Sequence, residues 1–325
     1  MKKNIQIVLS VFFLIALLAL TGCGKEKNEE NAAGEKSYTV EHAMGKTKIV
    51  GEPKKIVVLT NEGTEALLSL GIKPVGAVQS WVGNPWYDHI KDDMKDAEVV
   101  GVEHEVNLEK IASLKPDLII GNKIRQEAVY DKLSKIAPTV FAETLRGDWK
   151  ENFALYAKAV NKEEQGKKVL SDYEEKVVNV KEALGDKVNQ EISMVRFMTG
   201  ITRIYYTDSF SGVIFEELGF KRAPQQEKLF KEDNKLGKLA IEVGKEVIPE
   251  MDADTLFYFT YTPEGDNKAL ETEKEWINDP LWKNLNAVKN NRAYKVDDII
   301  WNTAGGVLAA NLMLDEIKEL FAKQN

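Results

Sequence analysis

Cysteine is almost absent from these 325 residues. Cys23 stands alone, which excludes a disulfide framework and a thiolate metal centre. Histidine is nearly as scarce. His42, His89 and His104 are scattered and flanked by charges, so each reads as a surface residue rather than as a haem or zinc ligand. Arginine is rationed: Arg125, Arg146, Arg196, Arg203, Arg222 and Arg292 are the whole set, and the other 38 of the 44 basic residues are lysines. Catalytic motifs are missing as well. The chain has no P-loop, no G-x-S-x-G elbow and no H-E-x-x-H. Excess positive charge is also lacking, since the net charge is −8. A polyanion such as nucleic acid, held along an open basic surface, is thereby excluded.

Long apolar runs are confined to residues 5–20, which follow Met1-Lys2-Lys3 and are short for a membrane span. This pattern predicts a leader over residues 1–22. Leu20-Thr21-Gly22-Cys23 resembles the lipobox of bacterial lipoproteins. That resemblance implies cleavage before Cys23 and a diacylglyceryl group on its sulfur, which would hold the chain at the extracytoplasmic face of a bacterial cell membrane. Residues 23–37 offer little to bury and read as a flexible tether.

What is there is a long helix, predicted over residues 162–184. Val169, Tyr173, Val177, Val180 and Leu184 recur at spacings of three and four and lay an apolar stripe along one face. Asn161 reads as its cap and Gly185 as its stop. On either side of it, strand and helix alternate. Residues 55–60, 75–78, 118–121 and 139–141 read as strands of the first half. Residues 192–198, 255–259 and 293–296 read as strands of the second, with a hairpin at 201–206. The fold class is therefore α/β: two Rossmann-like lobes, residues 38–160 and 186–325, joined by a single long helix within 161–185. Open α/β sheets bind ligands beyond the carboxyl ends of their strands, so the cleft between the lobes is the expected site.

Arginines near strand ends suit forked recognition of an oxygen-rich ligand. Arg125, Arg196 and Arg203 are the candidates, with surface ion pairs as the alternative. Arg146, in a loop before a helix, fits cleft or solvent equally well. Arg222 and Arg292 read as solvated. Aromatic candidates for the cleft are Trp81, Trp86 and Tyr87 in a Gly/Pro-containing loop, Tyr261 just past a strand, and Trp301 ahead of the last helix, expected over residues 304–321. Phe257, Phe259 and Trp282 read as core. Gly305-Gly306 suits an anion at a helix start or close packing.

Thr64-Glu-Ala-Leu-Leu-Ser-Leu-Gly71, Leu114-Lys-Pro-Asp-Leu-Ile-Ile120, Tyr130-Asp-Lys-Leu-Ser-Lys-Ile-Ala-Pro138, Trp301-Asn-Thr-Ala-Gly-Gly306 and Met313-Leu-Asp315 occur in that order. With the lipobox, they make the chain from about Tyr38 to Ala322 resemble a class III, helical-backbone solute-binding lipoprotein of iron–siderophore ABC importers. The likeness is greatest to the hydroxamate and mixed citrate–hydroxamate branch. It implies a monomer that is not an enzyme, carries no cofactor and ligates no metal directly. It implies that the ligand is a ferric siderophore gripped by the arginines and rings above. The partners implied are an ABC permease and its ATPase, met through one exposed carboxylate on each lobe: Glu65, and either Glu216 or Glu217. Tyr205-Tyr206 could ligate bare iron only from a bent strand, because neighbours on a strand face opposite ways. A haem or cobalamin receptor of the same architecture, or a cleft-bearing enzyme, are the alternatives.

Overall fold

The computed structural model describes residues 29–30, 36–231, 234–263 and 266–324. The leader and Cys23 lie outside the described residues. The chain divides into two compact units, residues 1–38 and 39–325. Within the first, Glu29–Glu30 pairs antiparallel with Lys36 and Ser37, so part of the expected tether uses backbone hydrogen bonds to form regular structure. The second unit carries everything that follows.

Its first lobe is built on β1 (Ile56–Val58), β2 (Gly76–Ala77), β3 (Glu98–Val99), β4 (Leu118–Asn122) and β5 (Thr139–Ala142). All run parallel, in the order β5-β4-β1-β2-β3. A parallel sheet is covered on both faces, which is why β4 and β5 are buried at every residue. Val57, Leu59, Ile119 and Phe141 centre the core of this lobe.

The second lobe uses β6 (Glu191–Met198), β7 (Ile201–Tyr205), β8 (Lys221–Arg222), β9 (Ala240–Val243), β10 (Thr255–Thr260) and β11 (Ala293–Lys295). Their order is β9-β7-β6-β10-β11, with β8 also pairing β6. β6, β10 and β11 are parallel, whereas β7 folds back antiparallel on β6. That hairpin sets Arg196 directly opposite Arg203. Directly opposed residues share a face, so both guanidiniums leave on the same side. Phe257, Phe259 and Trp282 are buried, as read from the sequence.

Five helices position the site: α1 (Asn61–Ser69), α2 (Trp149–Ala159), α3 (Glu163–Leu184), α4 (Phe210–Leu218) and α5 (Val307–Ala322). α3 is the long helix, and Tyr173, Val177, Val180 and Leu184 form its buried stripe. A Cβ on Gly166 would lie 2.5 Å from the Ala157 Cβ, so this glycine lets α2 approach closely. Asn161 is not the cap. It takes a left-handed φ of 56° in the turn between α2 and α3, a conformation that asparagine tolerates, and Lys162 holds the cap position without a side-chain bond. Gly185, with φ of 55°, ends the helix.

α5 starts at Val307 rather than at 304 because Ile299–Thr303 form a π-helical turn first. α5 then lies against both α1 and α3. The last helix of the chain therefore leans on the first helix of the opposite lobe.

Candidate functional site

The parallel strands of both sheets end on a common groove, which holds a cavity of about 270 Å³. From the first lobe come Glu62 in the first turn of α1, Trp81 beyond β2, Glu103 beyond β3, Arg125 beyond β4, and Leu145 and Arg146 beyond β5. From the second come Arg196 and Met198 on β6, Arg203 and Tyr205 on β7, and Tyr261 beyond β10. Asn302, Thr303, Ala304 and Gly305 close the floor.

Arg196 is the most constrained of the four arginines. Its Nε and Nη2 donate to Asp298 Oδ1 and Oδ2 at 2.6 and 2.9 Å, and its Nη1 donates to the Tyr205 hydroxyl at 3.1 Å. The guanidinium sits 4.8 Å over the Tyr261 ring, a cation–π geometry. Burial opposes its charge, but Asp298 and Tyr205 outweigh burial and hold Arg196 above its ordinary range. Thr303 donates to Asp298 in turn, which fixes the carboxylate.

Arg203 donates from Nη2 to Glu242 at 2.6 Å. Arg125 rides on the short helix Lys123–Gln126, which Asn122 caps through the Ile124 N–H. Its Nε lies 3.3 Å from Glu103 Oε2 but makes no hydrogen bond of good angle. The same guanidinium stands 5.6 Å from the Trp81 ring centre, and Trp81 stacks on His104 at 5.7 Å. Glu103 is held by the backbone and side-chain N–H groups of Asn61, at 2.8 and 2.9 Å.

Arg146 differs from these three. Among the described residues no carboxylate pairs with it, and its backbone has a left-handed φ of 78°. Partial burial, followed by repulsion from Arg125, Arg203 and Arg196, pulls its pKa below the ordinary range. An unpaired cation beside three others is a site prepared for negative charge. The groove can therefore hold an anionic, oxygen-rich ligand by forked hydrogen bonds while Trp81, Tyr205 and Tyr261 cover its carbon skeleton.

Several expectations are corrected. Trp86 is buried outside the groove. Trp301 is wholly buried; it packs on Phe215 and Phe257 and donates its indole N–H to Glu316. The π-helical turn carries it inward while its neighbours Asn302 and Thr303 face the groove. Tyr87 is buried too, and its hydroxyl donates to the Thr303 carbonyl at 3.3 Å, linking the lobes.

Glu65 was expected on the surface and is fully buried. His89 Nε2 lies 2.6 Å from Oε1, and the Ala309 N–H donates to Oε2 at 2.9 Å. Glu217 is half-buried and bound by Lys150 and the Tyr173 hydroxyl, whereas Glu216 is exposed. His42 and His89 are half-buried with hydrogen-bond partners rather than free on the surface. Arg222 is not solvated. Its Nε and Nη1 are buried without partners, and burial lowers its pKa to about 10. Tyr205 faces the groove, while Tyr206 turns away and stacks on Phe230 at 4.2 Å.

Glu62 and Glu103 escaped the sequence reading. The signal that could have found them is position, because each follows a parallel strand of the first sheet. Gly306 owes its place to packing: a Cβ there would lie 2.6 Å from Glu65 Oε2.

Two α/β lobes joined by one helix, with a basic groove at the carboxyl ends of both sheets, define the class of extracytoplasmic solute receptors. The chain belongs to the periplasmic binding protein family, whose model matches residues 56–299, and is accordingly a binding protein rather than an enzyme. It is 53% identical, over 99% of both chains, to a probable siderophore-binding lipoprotein, YfiY, of Bacillus subtilis. It is 31% identical, again over 99% of both chains, to the Fe(3+)-citrate-binding protein YfmC of the same organism. Staphylococcus aureus SirA complexed with staphyloferrin B superposes with a TM-score of 0.80 and 40% identity, covering 88% of this chain and 98% of SirA.

Proposed function

We propose that this chain captures a ferric siderophore in the groove and delivers it to an ABC permease, anchored to the membrane through a lipid on Cys23. The supporting observation is the convergence of four arginines on one cavity, with no carboxylate among the described residues pairing with Arg146. A ligand that arrives with iron already wrapped needs no metal-binding residues. Among the described residues no group of three or more His, Cys, Asp or Glu could hold an ion.

Guanidinium forks favour carboxylate oxygens, so the preferred ligand is a citrate-containing chelate, either all-carboxylate or mixed citrate–hydroxamate. The relatives named for Fe(3+)-citrate and staphyloferrin B point the same way. Charge-assisted hydrogen bonds contribute about 1.5–3 kcal/mol each, and micromolar to nanomolar affinity needs about 8–12 kcal/mol. Arg125, Arg146, Arg196 and Arg203 with Trp81 and Tyr261 are enough. Glu216, exposed on α4, remains the candidate for permease contact in the second lobe.

Tryptophan-quenching titrations with ferric complexes of citrate–carboxylate, citrate–hydroxamate, trihydroxamate and catecholate type test this reading. Citrate-containing chelates should bind best. Arg146→Ala should weaken binding about tenfold, the equivalent of about 1.4 kcal/mol, without changing the melting temperature. Unchanged affinity in that variant, or binding of haem in place of any chelate, refutes the proposal.

A further inference from the structure

Among the described residues, Glu62 is the one carboxylate of the groove that has no cation beside it. It is 5% exposed and lines the cavity, yet among the described residues no Lys, Arg or His comes within ion-pairing distance of it. Glu103 pairs with Arg125, Asp298 with Arg196 and Glu242 with Arg203. The groups that face Glu62 come from every element around it. Glu65 shares its helix, Glu103 arrives from the loop beyond β3, Asn152 and Tyr156 from α2, and the Arg146 backbone N–H from the loop beyond β5. None of them neutralises an ionised carboxylate, and Glu103 and Glu65 repel one.

A buried carboxylate without a counter-ion is costly, and such groups take up a proton instead. Burial, the largest influence, accordingly pushes the Glu62 carboxyl well above the usual range, and it overrides the hydrogen bond from Asn152. The remaining question is where that proton points. Asn152 Nδ2 donates to Oε1 at 2.8 Å, and the Arg146 N–H is likewise a donor, so the protein surrounds the acid with donors. The edge of the carboxyl left uncovered by these donors faces the cavity. The open cavity is the direction left.

We propose that Glu62 enters the groove as a neutral carboxylic acid and donates a hydrogen bond to an acceptor oxygen of the bound chelate. It is then a specificity residue that reads an oxygen acceptor among the four guanidiniums without adding negative charge. This rests on the proposed siderophore function and deepens it. Bound anion disfavours ionisation of Glu62 further, so ligand affinity and the proton on Glu62 are linked, and affinity falls as pH rises through that group's titration.

The test is the ratio of dissociation constants, wild type over Glu62→Gln, for a ferric citrate-containing chelate from about pH 5 to about pH 9. The ligand's own titration cancels in this ratio. The Gln amide donates at every pH, so the ratio should be near one at the acid end and rise at least about threefold toward the alkaline end. Glu62→Ala should bind about tenfold more weakly than Glu62→Gln at all pH values. Melting curves of each variant establish that the lobes remain folded. A ratio independent of pH, or Glu62→Ala binding as tightly as Glu62→Gln, overturns this inference while leaving the siderophore reading intact. Absence of binding by the wild type to every chelate overturns both.

Discussion

Replacing Glu65 by alanine tests whether this residue holds the lobes together or meets a partner. The side chain is fully buried, with His89 Nε2 at 2.6 Å and the Ala309 N–H at 2.9 Å. Ala309 lies on α5 and Glu65 on α1, so the bond crosses from one lobe to the other. Removing the carboxylate strands a buried backbone donor, at about 1–3 kcal/mol, and deletes a hydrogen bond to a charged group worth about 1.5–3 kcal/mol. The combined loss is about 2.5–6 kcal/mol, a large fraction of the roughly 5–15 kcal/mol that holds a domain folded. Glu65→Gln keeps an acceptor for Ala309 and should lose about 1–2 kcal/mol. Urea unfolding followed by circular dichroism reads both values. Should Glu65→Ala keep wild-type stability but lose ligand delivery to the permease, the residue is a surface docking group and the structural reasoning is wrong.

Gly306→Ala should destabilise by about 1–3 kcal/mol through overpacking, because its Cβ would meet both Oε2 and Cβ of Glu65 within 3 Å; thermal unfolding measures it. Trp81→Phe should abolish most ligand-induced fluorescence quenching, whereas Trp86→Phe should leave it unchanged, since Trp81 lines the groove and Trp86 does not. Burial raises the folded-state pKa of Glu62, so its contribution to stability is complete below the ordinary carboxylate range. That contribution is lost as pH rises through the folded value. Glu62→Gln should therefore gain stability relative to wild type as pH climbs, seen as a growing difference in urea midpoints; a constant difference refutes it.

Much of this architecture was legible because alternation and strand-end position are local properties. Leu118-Ile-Ile reads as a buried parallel strand, and that strand delivers Arg125 to the groove. Arg196, Arg203 and Tyr261 follow from the same rule. Trp301 did not, since a π-helical turn alters which side of the chain faces the core, and no composition announces that turn. Glu65 failed for a different reason. Asn61-Glu-Gly-Thr-Glu65 looks like a solvated helix start, but its partner Ala309 stands 244 positions along the chain. Arg222 was misjudged likewise, because its burial depends on Tyr205, Tyr206 and Gln226 closing over it. Tertiary pairings of this kind, whether 4 or 244 positions apart, are invisible to periodicity.

The seating of α5 on α1 has a bearing on how the polypeptide acquires its shape. Seven consecutive residues, Asn61 through Leu67, are buried although five of them are not apolar. Part of their cover, including the donor that satisfies Glu65, arrives only with residues 306–309. Until residues 306–309 are in place, water rather than protein would have to satisfy the Glu65 carboxylate, so α1 cannot complete its native burial before they arrive. A fragment stopped short of Gly306 should fail to hold its shape, even though every strand of both sheets would be present.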